Sequence, residues 1–372
     1  MRISTKRLYI FLIAMVALLC RPSGPSCFAA TYHITNVDEL QAIRNDMGGD
    51  YILANDIDAS ETETWRGGAG FYPIGRYGSS NPNNYFRGTL DGQGYEIIGL
   101  HIRGSASPWN FLALFGGTRG ATITNVGLRD THISGTGYVA SLVSGAENTT
   151  ISKCYSKNGQ ISTGSMYAAG LIAQALNSPI ADCYVEGGTV RAGRIVGGLV
   201  GRLISTTAGG SVGNIATSYS TAEVISNELV LMGGLVGWNQ WGKFTNCYYD
   251  TETAGQSDTG KGEPKTTAEM EQKSTFVNWD FHTIWGIDEG ISYPYFGPNP
   301  FIDIGLRVYD GTETVKIACE PDDSVTSPLR IAKDGKVYGI ALVDPDNPPN
   351  NPDATKIRIK TSSGVMAPRK YE

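Results

Sequence analysis

Apolar residues in the middle of this chain come in short clusters of one to three, separated by polar residues and glycine. The clusters recur over a long interval rather than at a helical spacing. Residues 150–156 read Thr-Ile-Ser-Lys-Cys-Tyr-Ser, 179–185 Pro-Ile-Ala-Asp-Cys-Tyr-Val and 214–220 Asn-Ile-Ala-Thr-Ser-Tyr-Ser. Residues 122–128, Thr-Ile-Thr-Asn-Val-Gly-Leu, are a more divergent copy, and 243–249, Lys-Phe-Thr-Asn-Cys-Tyr-Tyr, open a fifth that is not completed. The five starts lie 28, 29, 35 and 29 residues apart. Such a period marks a stacked repeat, in which each unit buries its apolar face only against its neighbours.

Aligning the copies gives three apolar columns. The first is Val126, Cys154, Cys183, Ser218 and Cys247; the second Ile133, Ile161, Val190 and Val224; the third Leu114, Leu142, Leu171, Leu199 and Leu235. Three strand-like segments per copy, punctuated by glycine, predict a three-sided coil. Propeller blades need about 40 to 50 residues. Leucine-rich repeats share the spacing of Ile123, Val126 and Leu128, but these Gly-, Ser- and Thr-rich copies offer no helix. Ile97, Leu100 and Ile102 repeat that spacing and predict an earlier coil. A parallel β-solenoid accounts for the pattern.

Upstream, residues 36–47 predict a short amphipathic helix capped by Asn36 and ended by Gly48 and Gly49, followed by a strand from Tyr51. That helix could cover the open end of a stack. Residues 61–86 read as loop. Past Asp250 the pattern fades, and Phe276 to Trp285 read as a closing segment for the other end. From about residue 301, β-type runs at 314–317, 336–343 and 356–359 predict a small all-β module, interrupted by a Pro-, Asp- and Asn-rich stretch at 344–353.

Residues 197–201 and 233–237 both read Gly-Gly-Leu-Val-Gly. They resemble the GLUG motif of bacterial surface and secreted proteins, and residues 141–144 and 170–173 are looser versions. Leu90-Asp-Gly-Gln-Gly-Tyr95 similarly resembles the first coils of pectate-lyase-like, right-handed parallel β-helices. The resemblance covers about residues 31–298 and implies an all-β, right-handed parallel β-helix at the cell surface or outside the cell. It does not imply an enzyme, because the motif travels with adhesins and secreted proteases alike.

The first residues bear on compartment. Arg2, Lys6 and Arg7 precede an apolar run from Leu8 to Leu19 and small residues at Cys27, Ala29 and Ala30, the order of a secretory signal peptide. The run is short for a bilayer span of about 20 residues, so no membrane insertion of the mature chain is expected. The expected domains are a signal peptide at 1–29, the β-helix at 30–298 and a small β-rich module at 299–372. Losing Arg2, Lys6, Arg7 and Arg21 would take the net charge from −6 to −10. An acidic exported chain is a poor partner for nucleic acid or an anionic membrane surface. Cys154, Cys183 and Cys247 share one repeat position. Coils about 4.8 Å apart would leave Cys154 and Cys183 within disulfide reach, but a column of small buried thiols is the simpler reading.

Candidate chemistry is sparse. His33, His101, His132 and His282 are far apart, and no paired-His protease motif, nucleophile elbow or phosphate loop occurs. No catalytic residue, metal ligand or cofactor is therefore assigned. Lys153 beside Asp182 on adjacent coils could form an acid–base pair, or a solvated contact worth little. Tyr155, Tyr184, Tyr219 and Tyr248 each follow the first column by one residue. Strand side chains alternate faces, so these tyrosines should form an outward ladder, either a platform for sugar rings or a stack that stabilises its own sheet. Trp238 and Trp241, on the turn after the last Gly-Gly-Leu-Val-Gly copy, could extend such a surface or close off the core. The expectation is an exported, non-enzymatic scaffold for surface adhesion or for binding extracellular polysaccharide or a cell-surface protein. The alternative is a polysaccharide-active β-helix lyase or hydrolase.

Overall fold

The computed structural model describes residues 31–104, 111–206, 213–226 and 231–297 with their side chains, and the backbone of six strands between 302 and 366. The expected signal peptide and the stretch at 344–353 lie outside the described residues.

From Thr89 to Gln240 the chain winds through five complete coils of a right-handed parallel β-helix. In one coil the strands are Thr122–Thr124, Gly127–Arg129, His132–Gly135, Tyr138–Val139 and Val143–Glu147. Each pairs in parallel with its counterpart in the coils above and below, so five sheets run along the stack, here called first to fifth in that order. The first and second have eight strands and the others five. The coil thus has five strand segments, not the three sides expected from sequence.

The extra corners have a local cause. Asn125, Lys153, Asp182, Thr217 and Asn246 separate the first sheet from the second, all with φ between 44° and 56°. Asp130 and Asn158 make the next corner the same way, and Asn148 and Asn177 make the return from the fifth sheet to the first. Asn and Asp tolerate this left-handed conformation better than other side-chain-bearing residues. One such residue bends a strand without breaking the coil, so no long apolar run announces the corner.

The interior is filled by in-register columns. Ile123, Ile151, Ile180 and Ile215 line the first sheet, and Ile133, Ile161, Val190 and Val224 the third. Leu114, Leu142, Leu171, Leu199 and Leu235 are all fully buried at the corner between the fourth and fifth sheets. The Gly-Gly-Leu-Val-Gly segments form this corner, and their glycines are steric necessities. A Cβ on Gly197 would strike the Val200 carbonyl, and one on Gly198 the Gly234 carbonyl of the next coil. Cys154, Cys183 and Cys247 are buried free thiols.

Both ends of the stack are covered. The helix Val37–Ala42, capped by the Asn36 side chain on Glu39 N–H, puts Val37 and Leu40 into the main core, and Ile43 follows. Residues 61–86, expected as loop, trace an irregular first turn, with bridges from Gly70 to Ile102, Ile74 to Phe115 and Phe86 to Thr118. The far end is not closed by Phe276 to Trp285. Residues 249–262 do that: Tyr249 lies against Gly234, and Lys261 donates to the carbonyls of Met232 and Gly237. Separately, Ile302–Tyr309, Thr314–Cys319, Leu329–Lys333, Lys336–Ile340, Arg358–Thr361 and Gly364–Met366 form an antiparallel six-stranded sheet.

Candidate functional site

The tyrosine ladder exists, but it is roofed. Tyr155, Tyr184, Tyr219 and Tyr248 are in register along the outer face of the second sheet. Ring centres of Tyr155 and Tyr184 are 4.9 Å apart, and those of Tyr184 and Tyr219 5.1 Å, with planes within 5°. Residues 266–297 lie across them as a strap. Phe276, Trp279 and Trp285 pack on the rings, leaving Tyr184, Tyr219 and Tyr248 at most 2 % exposed. Polar pins hold the strap: Tyr219 Oη donates to the Pro294 carbonyl at 2.7 Å, Val277 N–H to Tyr248 Oη at 3.2 Å and Trp279 Nε1 to the Asn246 carbonyl at 3.0 Å. Burial pushes the Tyr184 and Tyr219 phenols well above their ordinary range. These three rings are therefore the core of a second layer, not an open sugar platform. The aromatic residues of the strap, read from sequence as an end cap, were the signal for this cover.

Only Tyr155 reaches the edge of the strap. There a half-open cleft of about 530 Å³ is lined by Asn125, Lys153, Lys157, Tyr155, Tyr295 and Phe296. Lys157 Nζ is 3.2 Å from Glu186, and Tyr155 Oη donates to Glu96 at 2.9 Å. Lys153 and Asp182 do not make the expected pair. Both occupy left-handed corners, and the Asp182 carboxylate accepts from the Thr217 hydroxyl instead. No ion pair joins them among the described residues.

The opposite outer face carries a second aromatic row, which sequence reading missed. Phe111, Tyr138, Tyr167, Ile195 and Leu231 are in register on the fourth sheet. Gly145, Gln174, Arg202 and Trp238 are in register on the fifth. The bare face of Gly145 is occupied by the Tyr77 ring, which extends that row by one side chain. Immediately before the fifth-sheet row, the strands carry the small, buried residues Ser144, Ala173, Gly201 and Gly237. Ring centres run from Tyr77 to Phe111 at 5.2 Å, to Tyr138 at 4.8 Å and to Tyr167 at 4.6 Å. The Arg202 guanidinium carbon then sits 5.9 Å from the Tyr167 ring centre and 4.7 Å from that of Trp238.

Arg202 is held by design of its surroundings. Its Nη1 donates to Gln174 Oε1 at 3.3 Å, and Gln174 Nε2 donates to Tyr77 Oη at 2.8 Å. Gln174 is 5 % exposed, so this pin is buried. Burial pushes the Tyr138 phenol up, and the positive charges of Arg202 and Arg194 pull against that shift. Neither arginine has an acidic partner among the described residues.

Trp238 is half-buried in this row, and Trp241 is 53 % exposed. Trp241 has φ 63° at the corner where earlier coils place Asn148 and Asn177. A bulky residue there is an outlier that costs backbone strain. The signal for this face was present: an aromatic or aliphatic residue four positions before the column leucine in four coils, and Gln, Arg or Trp three positions after it. No group of three metal-ligating side chains occurs among the described residues.

No family model matches the chain. A provisionally named Gly-rich membrane protein of Evansella cellulosilytica is 45 % identical over 106 residues, covering 27 % of this chain and 12 % of that protein. Halomucin of Haloquadratum walsbyi is 38 % identical over 88 residues, 23 % of this chain and 1 % of its own. The chain therefore spans only a small part of either relative. Among solved structures, a Bacteroides ovatus chain provisionally named an immunoglobulin A1 protease superposes with a TM-score of 0.52 at 19 % identity. The match covers 72 % of this chain and 92 % of that one. This is a likeness of fold alone.

Proposed function

We propose that this chain is exported through its N-terminal segment and works outside the cell or at its surface as a β-helical binding scaffold, with extracellular polysaccharide or a cell-surface protein as ligand. The observation that carries the reading is the aromatic and arginine strip on the fourth and fifth sheets. On this strip Tyr138, Arg202 and Trp238 are half-buried and Tyr167 is 6 % exposed. Amphipathic rings offer an apolar face and a polar tip to such ligands, and small contacts repeated along a stack add up on a repeating ligand. The sequence relatives support the location, since their names describe a membrane protein and a halomucin. We also read the two Gly-Gly-Leu-Val-Gly segments as GLUG motifs, on the bacterial surface-protein resemblance described above.

The test is retention of the protein on surfaces coated with polysaccharides or extracellular proteins, with the supernatant assayed for cleaved product. Retention without turnover is expected. Release of shortened sugar or peptide would place the chain among enzymes, and absence of retention on every surface would end the scaffold reading.

A further inference from the structure

We infer that the strip at Tyr138, Arg202 and Trp238 binds an acidic glycan, a polymer or oligosaccharide whose sugars carry carboxylates. The inference rests on the binding-scaffold reading and names the site and the ligand chemistry.

Geometry and charge converge. The strip follows the coil axis in two adjacent rows, with ring centres from Phe111 to Tyr138 and on to Tyr167 4.8 and 4.6 Å apart. That spacing is close to the length of one sugar residue, so a linear glycan lying along the axis would meet one protein row per sugar.

Charge then selects among glycans. The protein is acidic, with a net charge of −6. Some arginines and lysines on its coils are spent on carboxylates, as in Arg119 with Glu147, Arg129 with Glu96 and Lys157 with Glu186. Arg202 and Arg194 are not, among the described residues. A guanidinium has five N–H donors in a planar fork matched to a carboxylate, and among the described residues the Arg202 side chain donates to neutral Gln174 alone. The Trp238 ring, 4.7 Å from its guanidinium carbon, and Gln174, itself pinned by Tyr77, hold that fork in place. An arginine immobilised this way loses little entropy on binding and retains donors for an incoming anion. A protein ligand would also use Trp, Tyr and Arg, but a patch of irregular outline would serve it better than a row in register with the coil repeat.

The experiment uses the full chain with polygalacturonate, its fully methyl-esterified form, sialylated oligosaccharide and neutral glucan, together with a panel of extracellular proteins. The free acid, or the sialylated sugar, is expected to bind, and the methyl ester at least tenfold more weakly. Arg202→Gln should lose at least tenfold for the acid, and Trp238→Gln should weaken it by a similar factor, with melting temperatures kept near that of the parent. Lys157→Gln, in the cleft on the opposite face, should bind as the parent does. Equal binding of acid and ester would overturn the inference, as would an unchanged Arg202→Gln variant. Retention on proteins but on no glycan would also overturn it, while leaving the scaffold reading standing.

Discussion

At the scale of single residues, the repeat is written in what each position must avoid. Leu171 is fully buried with coils on both sides, and its truncation to Ala is expected to cost about 2–5 kcal/mol by urea unfolding. Gly198→Ala should cost at least as much although it adds only a methyl group, because that methyl would collide with the Gly234 carbonyl and the Ser220 side chain. A Gly198→Ala protein as stable as the parent would show that neighbouring coils can separate at this corner. Trp241→Asn is expected to stabilise by about 1 kcal/mol, since it removes a bulky residue from a left-handed corner. Calorimetry would show it as a raised melting temperature. The leucine and thiol columns were legible because burial forces one residue type to recur. The corner residues were visible too, as Asn and Asp at a fixed offset, but the same types populate surface sites. Lys153 and Asp182 therefore read as a possible pair when they are backbone bends.

At the scale of elements, the strap decides what the tyrosine ladder is for. Alternation along the strand correctly puts Tyr184 and Tyr219 outside the coil; whether water reaches them depends on a segment that begins only at residue 266, which no local pattern could reveal. The strap is tied to the last coil by Asp250. This buried carboxylate accepts from Glu252 and Thr253 N–H, from the Thr267 hydroxyl at 2.7 Å and from Tyr293 Oη at 2.6 Å. Asp250→Ala removes a helix cap and both strap bonds, and is expected to cost about 3 kcal/mol. Tyrosine fluorescence should then become accessible to quencher, and an unchanged quenching curve would contradict the anchoring role. The ladder also sets an alkaline limit. Its phenols titrate above the value of 10.0 expected when unfolded, because burial disfavours the phenolate. Folding therefore holds those protons: the stabilisation is complete below about pH 10 and is lost as pH rises from there towards the folded values. Stability should be level from neutral pH to about 9, with the ladder's tyrosinate absorbance appearing only together with unfolding. Tyrosinate signal from Tyr184 and Tyr219 in the folded protein near pH 10 would mean that the strap opens.

At the scale of the whole molecule, hydrogen bonding divides the chain. Every strand of the five parallel sheets lies between Thr31 and Lys265, and the six strands from Ile302 to Met366 pair only with one another. A solenoid's stability is a sum over coils and their interfaces, and both of its ends are already covered by the helix from Val37 and by residues 249–262. The strap closes on itself through the pair of strands Trp285–Gly286 and Tyr295–Phe296. Nothing in the parallel stack thus depends on strand pairing with the C-terminal sheet. A chain ending at residue 298 is expected to keep the thermal midpoint of the β-helical transition within about 2 °C and to bind the same ligand with unchanged affinity. Ending the chain at residue 265 should behave differently: it uncovers Tyr184, Tyr219 and Tyr248 and should be less soluble and less stable, even though every coil remains. Paired melting curves for the two truncations, read beside the full chain, test both statements. If the cut at 298 lowers the midpoint as far as the cut at 265, the C-terminal sheet supports the stack, and the boundary drawn at that point is wrong.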